Sequence, residues 1–143
     1  MEKIQKIGVS GFIYNNGKVL IVRRSKKEKF MTGYYDLPGG KVEFGETLEE
    51  ALGREIKEEV NLIVKILKPY SYFSYITLKN TRHTIDIQFI AKAKNIKNLK
   101  MSGAHDEYKW IKENEIGKYK MSKERKKSIK EGFKELRSSA SLD

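Results

Sequence analysis

A chain of 143 residues with 38% apolar side chains, two prolines and aromatics spread along its length suits one compact domain and argues against disorder. It contains no cysteine, which excludes disulfide scaffolds, thiolate zinc sites and cysteine nucleophiles together. Thirty Lys and Arg against 19 Asp and Glu leave a formal net charge of +11, a balance that favours anionic partners such as nucleotides, nucleic acid or acidic lipid headgroups, although plain solubility charge accounts for it equally well.

No run approaches the ~20 apolar residues needed to span a bilayer, and the start "MEKIQKIGVS" lacks the apolar stretch of a secretory signal, so a soluble, cytoplasmic protein is expected. Residues 7–14 and 18–24 are apolar-rich runs parted by Asn15-Asn16-Gly17, which readily take the positive φ of a tight turn, and they predict a β-hairpin. In its second run Leu20, Val22 and Arg24 share one face, Ile21 and Arg23 the other. Residues 25–36 read as a polar, Lys-rich loop with Phe30, Tyr34 and Tyr35 embedded. It leads into "LPGGKVEFGET", where Gly39-Gly40 is either an ordinary turn or a place where backbone approaches a ligand closely.

Thr47, with Glu50 three residues on, is a capping box, and it predicts a helix running to about Val60 with Asn61 as its left-handed end. Residues 62–67, 70–78 and 84–93 read as three strands, with 79–83 joining the last two, and 108–111 as a final short strand. From Ser122 onward Ile129, Phe133 and Leu136 recur at i, i+4 and i+7, the stripe of a C-terminal helix packed on a sheet. Its first turns, "SKERKK", are expected to be solvated, and residues from about 137 to 143 to be a frayed tail. No repeat or linker marks a second unit, so 1–143 reads as a single domain.

The central helix carries an unusual charge pattern. At about 100° per residue Leu48, Leu52, Ile56 and Val60 form an apolar stripe, with Ala51, Glu55, Glu58 and Glu59 beside it. Helical spacing gives Glu55 no cation, since its neighbours at i+3 and i+4 are Glu58 and Glu59 and at i−4 is Ala51. Only Glu58 has a basic neighbour, Arg54. A like-charge pair costs an exposed helix about 0.2–0.5 kcal/mol, so a solvated acidic face is affordable. The other reading is that divalent cations supply the missing charge, because clustered carboxylates beside phosphate suit hard Mg²⁺. His83 and His105 read as loop residues, neither having a spaced partner for a metal.

The stretch "GKVEFGETLEEALGREIKEEVNL", residues 40–62, resembles the Nudix box, G-x5-E-x7-R-E-U-x-E-E-x-G-U with U aliphatic. Gly40, Glu46, Arg54, Glu55, Ile56, Glu58, Glu59 and Leu62 match, and Asn61 stands in place of the second glycine. "VLIVRRS", "GYYDLPGG" and "EYKWIKENEI" are similar to further segments of such proteins, with Tyr35 where many members have tryptophan. The resemblance implies an α/β protein with the Nudix fold, an α/β/α sandwich with a central mixed β-sheet and a C-terminal helix. It also implies a metal-dependent hydrolase that cleaves the diphosphate linkage of a nucleoside diphosphate joined to another moiety. A (d)NTP or modified nucleotide is the leading substrate, releasing NMP and pyrophosphate or NDP and phosphate.

Carried over by position, Glu55, Glu58 and Glu59 with the carbonyl of Gly39 would hold Mg²⁺ or Mn²⁺, Arg54 would orient the acids, and Glu46 would support them through water or hydrogen bonds. Glu55 or Glu58 would be the general base, and Glu107 is either a late contributor or a surface charge. Arg24, with Arg23 as the fallback, would contact phosphate, and Gly40 and Lys41 would also meet substrate. Tyr35, Phe30 and Tyr72 either stack a base or serve as packing. Two alternatives stand beside this reading. One is removal of pyrophosphate from an RNA 5′ end, with phosphate contacts from the Lys-rich segments at 25–29 and 123–127. The other is a nucleotide- or RNA-binding domain with weak or no hydrolysis. A monomer or homodimer with no membrane partner is expected.

Overall fold

The computed structural model describes residues 2–25, 31–77, 79–103 and 105–138. Strands β1 (Ile4–Asn15) and β2 (Lys18–Arg24) turn through Asn16 at φ 50° and Gly17 at φ 75°, the two left-handed residues that a tight hairpin demands. They stay paired only at the turn, Tyr14 opposite Val19 and Asn15 opposite Lys18. Further along, the same edge of β1 takes up a short strand β4 (Gly39–Lys41), with Val9 opposite Gly40. This exchange of partners opens the sheet where the glycine pair enters.

On its other edge β1 runs parallel to β6 (Arg82–Ala93), from Ile4 opposite Arg82 to Tyr14 opposite Lys92. The outermost strand is β5 (Val64–Thr77), antiparallel to β6. At the far side β2 pairs with β3 (Tyr35–Asp36) and with β7 (His105–Ile111). Among the described residues the result is a seven-stranded mixed sheet.

The two strands expected at 62–67 and 70–78 are one continuous β5, corrected by register shifts between Ile66 and Lys68 and between Pro69 and Ser71. Pro69 has no N–H for a ladder, which suggests a break, but an edge strand with a bulge absorbs it. The last strand begins at His105, earlier than position 108. Phe30 and the lysines at 26, 27 and 29 lie outside the described residues, as does the chain beyond Ser138.

Helix α1 (Leu48–Val60) starts on its capping box: Thr47 accepts from the Glu50 N–H at 3.1 Å and Glu50 accepts from the Thr47 N–H at 2.9 Å. It ends at Asn61, φ 57°, whose N–H bonds to the Lys57 carbonyl. Ala51, Leu52, Ile56 and Val60 pack with Val9, Ile13 and Phe89 on one side of the sheet. On the other side Ile129 and Phe133 of α2 (Lys123–Ser138) pack with Phe12, Ile21, Ile90 and Ile111. Two cores with one sheet between them make the α/β/α sandwich, and they leave the polar edge of α1 facing β4. No helix among the described residues is long and apolar enough to cross a membrane.

Candidate active site

Arg54 organises the acids of α1. Its Nε and Nη2 fork onto the Glu46 carboxylate at 2.7 and 2.9 Å, Nη1 donates to Glu55 at 2.9 Å, and Nη2 also donates to the Lys41 carbonyl at 3.0 Å. Glu58 stands 3.5 Å from the same Nη1. Glu55 therefore does have a cation: its immediate neighbour reaches it, because a guanidinium held flat by Glu46 is not confined to helical i±4 spacing. One arginine still serves Glu46, Glu55 and Glu58, with Glu59 alongside, so the cluster stays net negative. Hydrogen bonding from Arg54 holds Glu46 down at about 2, and the same bond holds the Arg54 guanidinium above its ordinary value. Glu55 moves the other way, pushed up by burial first, with Glu59 and Glu58 adding to the rise and Arg54 opposing it.

The glycine pair is a strand, and the space around it explains the residue choice. A Cβ on Gly39 would lie 2.0 Å from the Val9 carbonyl oxygen, and one on Gly40 would lie 2.3 Å from the Glu55 carboxyl carbon. The Gly39 N–H donates to Glu59 Oε1 at 2.8 Å. Glu55 and Glu59 are thus pressed against the β4 backbone. Hard oxygen donors outnumbering one arginine suit Mg²⁺ or Mn²⁺, and Glu58, 60% exposed, has room to turn toward the other two. Among the described residues no three carboxylate or imidazole side chains already converge closely enough to hold an ion.

β7 brings one residue to this centre that sequence reasoning passed over. A register shift between Arg23 and Arg24 sets Glu107 opposite Arg23 and His105 opposite Arg24. Arg23 is held at the surface by Asp106 at 2.9 Å and Glu107 at 3.0 Å, whereas Arg24 lines the cavity described below. Glu107 accepts from the Tyr35 hydroxyl at 2.7 Å and pairs with Lys109 as well, and these bonds hold it below the usual carboxylate range. Tyr35 in turn is pushed up to about 12, by burial and then by Glu107. His105, by contrast, is 7% exposed, with Nδ1 2.9 Å from Glu59 Oε2. A lone histidine in a presumed loop carries no sequence signal. It becomes visible only once β7 starts at 105.

A cavity of about 740 Å³ runs from Gly39, Gly40, Glu59 and His105, past Arg24, Lys41 and Tyr35, to Phe73, Tyr75, Asp86 and Arg125. Tyr72 is 77% exposed and does not line the cavity, so on β5 its neighbours Phe73 and Tyr75 are the aromatics that do. Arg125 corrects the expectation that "SKERKK" is solvated, because it is buried. Its Nε donates to Asp36, its Nη2 to Ser10 at 2.9 Å, it stands 3.6 Å from Asp86, and it lies over the Phe73 ring at 4.9 Å. The signal was present: Arg125 stands at i−4 from Ile129, on the stripe that packs inward. Burial pushes Asp86 above the usual carboxylate range, with Arg125 opposing.

The sequence profile of the NUDIX domain matches residues 5–132, and the chain belongs to the Nudix family. A protein of Methanocaldococcus jannaschii named ADP-ribose pyrophosphatase is 42% identical over 84 residues, 59% of this chain and 48% of that one, so the match spans about half of that relative. Nucleoside triphosphatase NudI of Escherichia coli is 27% identical over 135 residues, covering 88% and 95% of the two chains. Among solved structures, the MutT protein of Methanosarcina mazei Go1 superposes with a TM-score of 0.80 at 28% identity, over 97% of this chain and 99% of that one. The E. coli ORF135 protein shares the fold at a TM-score of 0.73 and 21% identity, over 99% and 96%.

Proposed function

We propose that this chain is a divalent-metal-dependent hydrolase that cleaves a phosphoanhydride bond in a nucleoside diphosphate joined to another moiety, most readily a (d)NTP or modified nucleotide. The observation that carries this reading is the placement of Glu59 and the Gly39–Gly40 backbone at one end of a cavity of about 740 Å³, with Glu55 packed against Gly40 beside them. That volume suits a nucleotide. Bound Mg²⁺ or Mn²⁺ would be held by Glu55, Glu58 and Glu59 with the Gly39 carbonyl, and would neutralise the diphosphate and make a bound water more acidic. Glu55, held by Arg54 beside the Gly40 backbone, and Glu58 are the two candidates to accept a proton from that water. Arg54 holds Glu55 in place, and Arg24 and Lys41 supply positive charge along the path that phosphates would follow.

At the far end the Phe73 and Tyr75 rings offer faces for a base. A triphosphate is favoured over ADP-ribose because the NudI nucleoside triphosphatase aligns over 88% of this chain, whereas the Methanocaldococcus jannaschii protein named ADP-ribose pyrophosphatase aligns over 59%. The RNA 5′-end alternative draws no support from Arg125, which is enclosed and unable to meet a polymer. The test is turnover of (d)NTPs, damaged nucleotides, ADP-ribose, dinucleoside polyphosphates and triphosphorylated RNA with Mg²⁺ and with Mn²⁺. Glu58→Gln should lower kcat by about 10²-fold or more with an unchanged thermal melt. Parental turnover in that variant would remove Glu58 from the metal set.

A further inference from the structure

We propose that His105 is a further ligand of the divalent ion, giving the site a mixed nitrogen and oxygen donor set that selects Mn²⁺ over Mg²⁺. The inference rests on the metal-dependent reading above and extends it to a residue outside the Nudix box. His105 Nδ1 is shut off from solvent and stands 2.9 Å from Glu59 Oε2, yet it makes no hydrogen bond. With Nδ1 unprotonated this contact sets two electron-pair donors against each other, which a cation between them would relieve. The other Glu59 oxygen is already committed to the Gly39 N–H, so Oε2 is the one left to share that partner.

The separation suits a shared ion. Two neighbouring donors of an octahedral cation with bonds of about 2.1 Å stand about 3.0 Å apart. Nδ1 and Oε2 already have that spacing without an ion. The approach to β7 is also tied to the helix that carries the acids: the Lys100 N–H bonds to the Val60 carbonyl, the Ser102 N–H to the Glu59 carbonyl, and the Ser102 hydroxyl to the Glu58 carbonyl. Together with the register shift opposite Arg24, these bonds hold the histidine against Glu59. An imidazole nitrogen discriminates among ions as a carboxylate does not. It strengthens binding of Mn²⁺ and of later transition ions, and it adds little for Mg²⁺, which prefers oxygen.

The decisive measurement uses the full chain with Mn²⁺ alone. Pulsed electron paramagnetic resonance should show a directly bound histidine nitrogen, kept in His83→Gln and lost in His105→Gln. Titration of His105→Ala should weaken Mn²⁺ binding about tenfold while Mg²⁺ binding moves far less. Mn²⁺ bound with no nitrogen coupling in the parent, or an unchanged preference between the two ions in His105→Ala, would overturn the assignment while leaving the carboxylate site standing. The parental spectrum decides even if a variant folds poorly. Failure of the parent to bind Mn²⁺ at all would instead sink the metal-dependent reading, and this proposal with it.

Discussion

A methyl group at Gly40 would have to share space with the Glu55 carboxylate, 2.3 Å from its carbon, and that carboxylate is also tied to Arg54. The side chain is the softer of the two neighbours, so Gly40→Ala should displace Glu55 and leave β4 in place. Misplacing a catalytic group by about 1 Å costs about 10²-fold in rate, and kcat should fall by that order with the melting temperature nearly unchanged. A variant as fast as the parent would show that the position of Glu55 does not limit catalysis. At this scale the sequence revealed what repeats or caps: the acidic edge of α1, the Thr47 and Glu50 pair, and left-handed Asn61. It did not reveal the Arg54–Glu55 bond, which joins adjacent residues through a guanidinium braced by Glu46 eight positions away. Nor did it reveal where His105 stands, which depends on the register shift between Arg23 and Arg24.

The two helical glycines without a turn to serve make opposite predictions for the elements that carry them. Gly53 faces open space in α1, so Gly53→Ala should gain about 1 kcal/mol through backbone entropy. Gly132 in α2 would place a Cβ 2.2 Å from the Phe12 ring. That ring is fully enclosed, edge-on to Phe133 at 5.0 Å and to Tyr70 at 6.0 Å, and it has nowhere to retreat. Overpacking should outweigh helix propensity, and Gly132→Ala should lose about 1–3 kcal/mol. Urea unfolding of both variants measures the signs, and a stabilised Gly132→Ala would show that α2 sits looser on the sheet than its contacts indicate. Periodicity in the sequence located both helices, but it counts glycine as neutral and is blind to which one touches a ring. The same blindness split β5 in two: Pro69 reads as a break until its edge position is known.

Across the whole molecule, Arg125 joins α2 to β1 over 115 residues of sequence through Ser10, and it faces Asp86 on β6 and Asp36 on β3. One buried cation between two carboxylates is held by its partners, and removing it strands a charge rather than deleting a contact. Arg125→Met should therefore cost about 3–5 kcal/mol at neutral pH. Burial already raises Asp86 above its ordinary 3.8, and without Arg125 it rises further. Over the window from 3.8 up to that raised value the folded state holds a proton that the unfolded chain has released, so stability falls as pH rises through it. The deficit of Arg125→Met should then be largest near pH 8 and shrink toward pH 4. Adding Asp86→Asn, which stays neutral and can still accept from Ser10 and Gln88, should recover part of the loss and flatten its pH dependence. Purely additive effects of the two substitutions would mean that Arg125 holds the layers together by packing on Phe73 and not by charge.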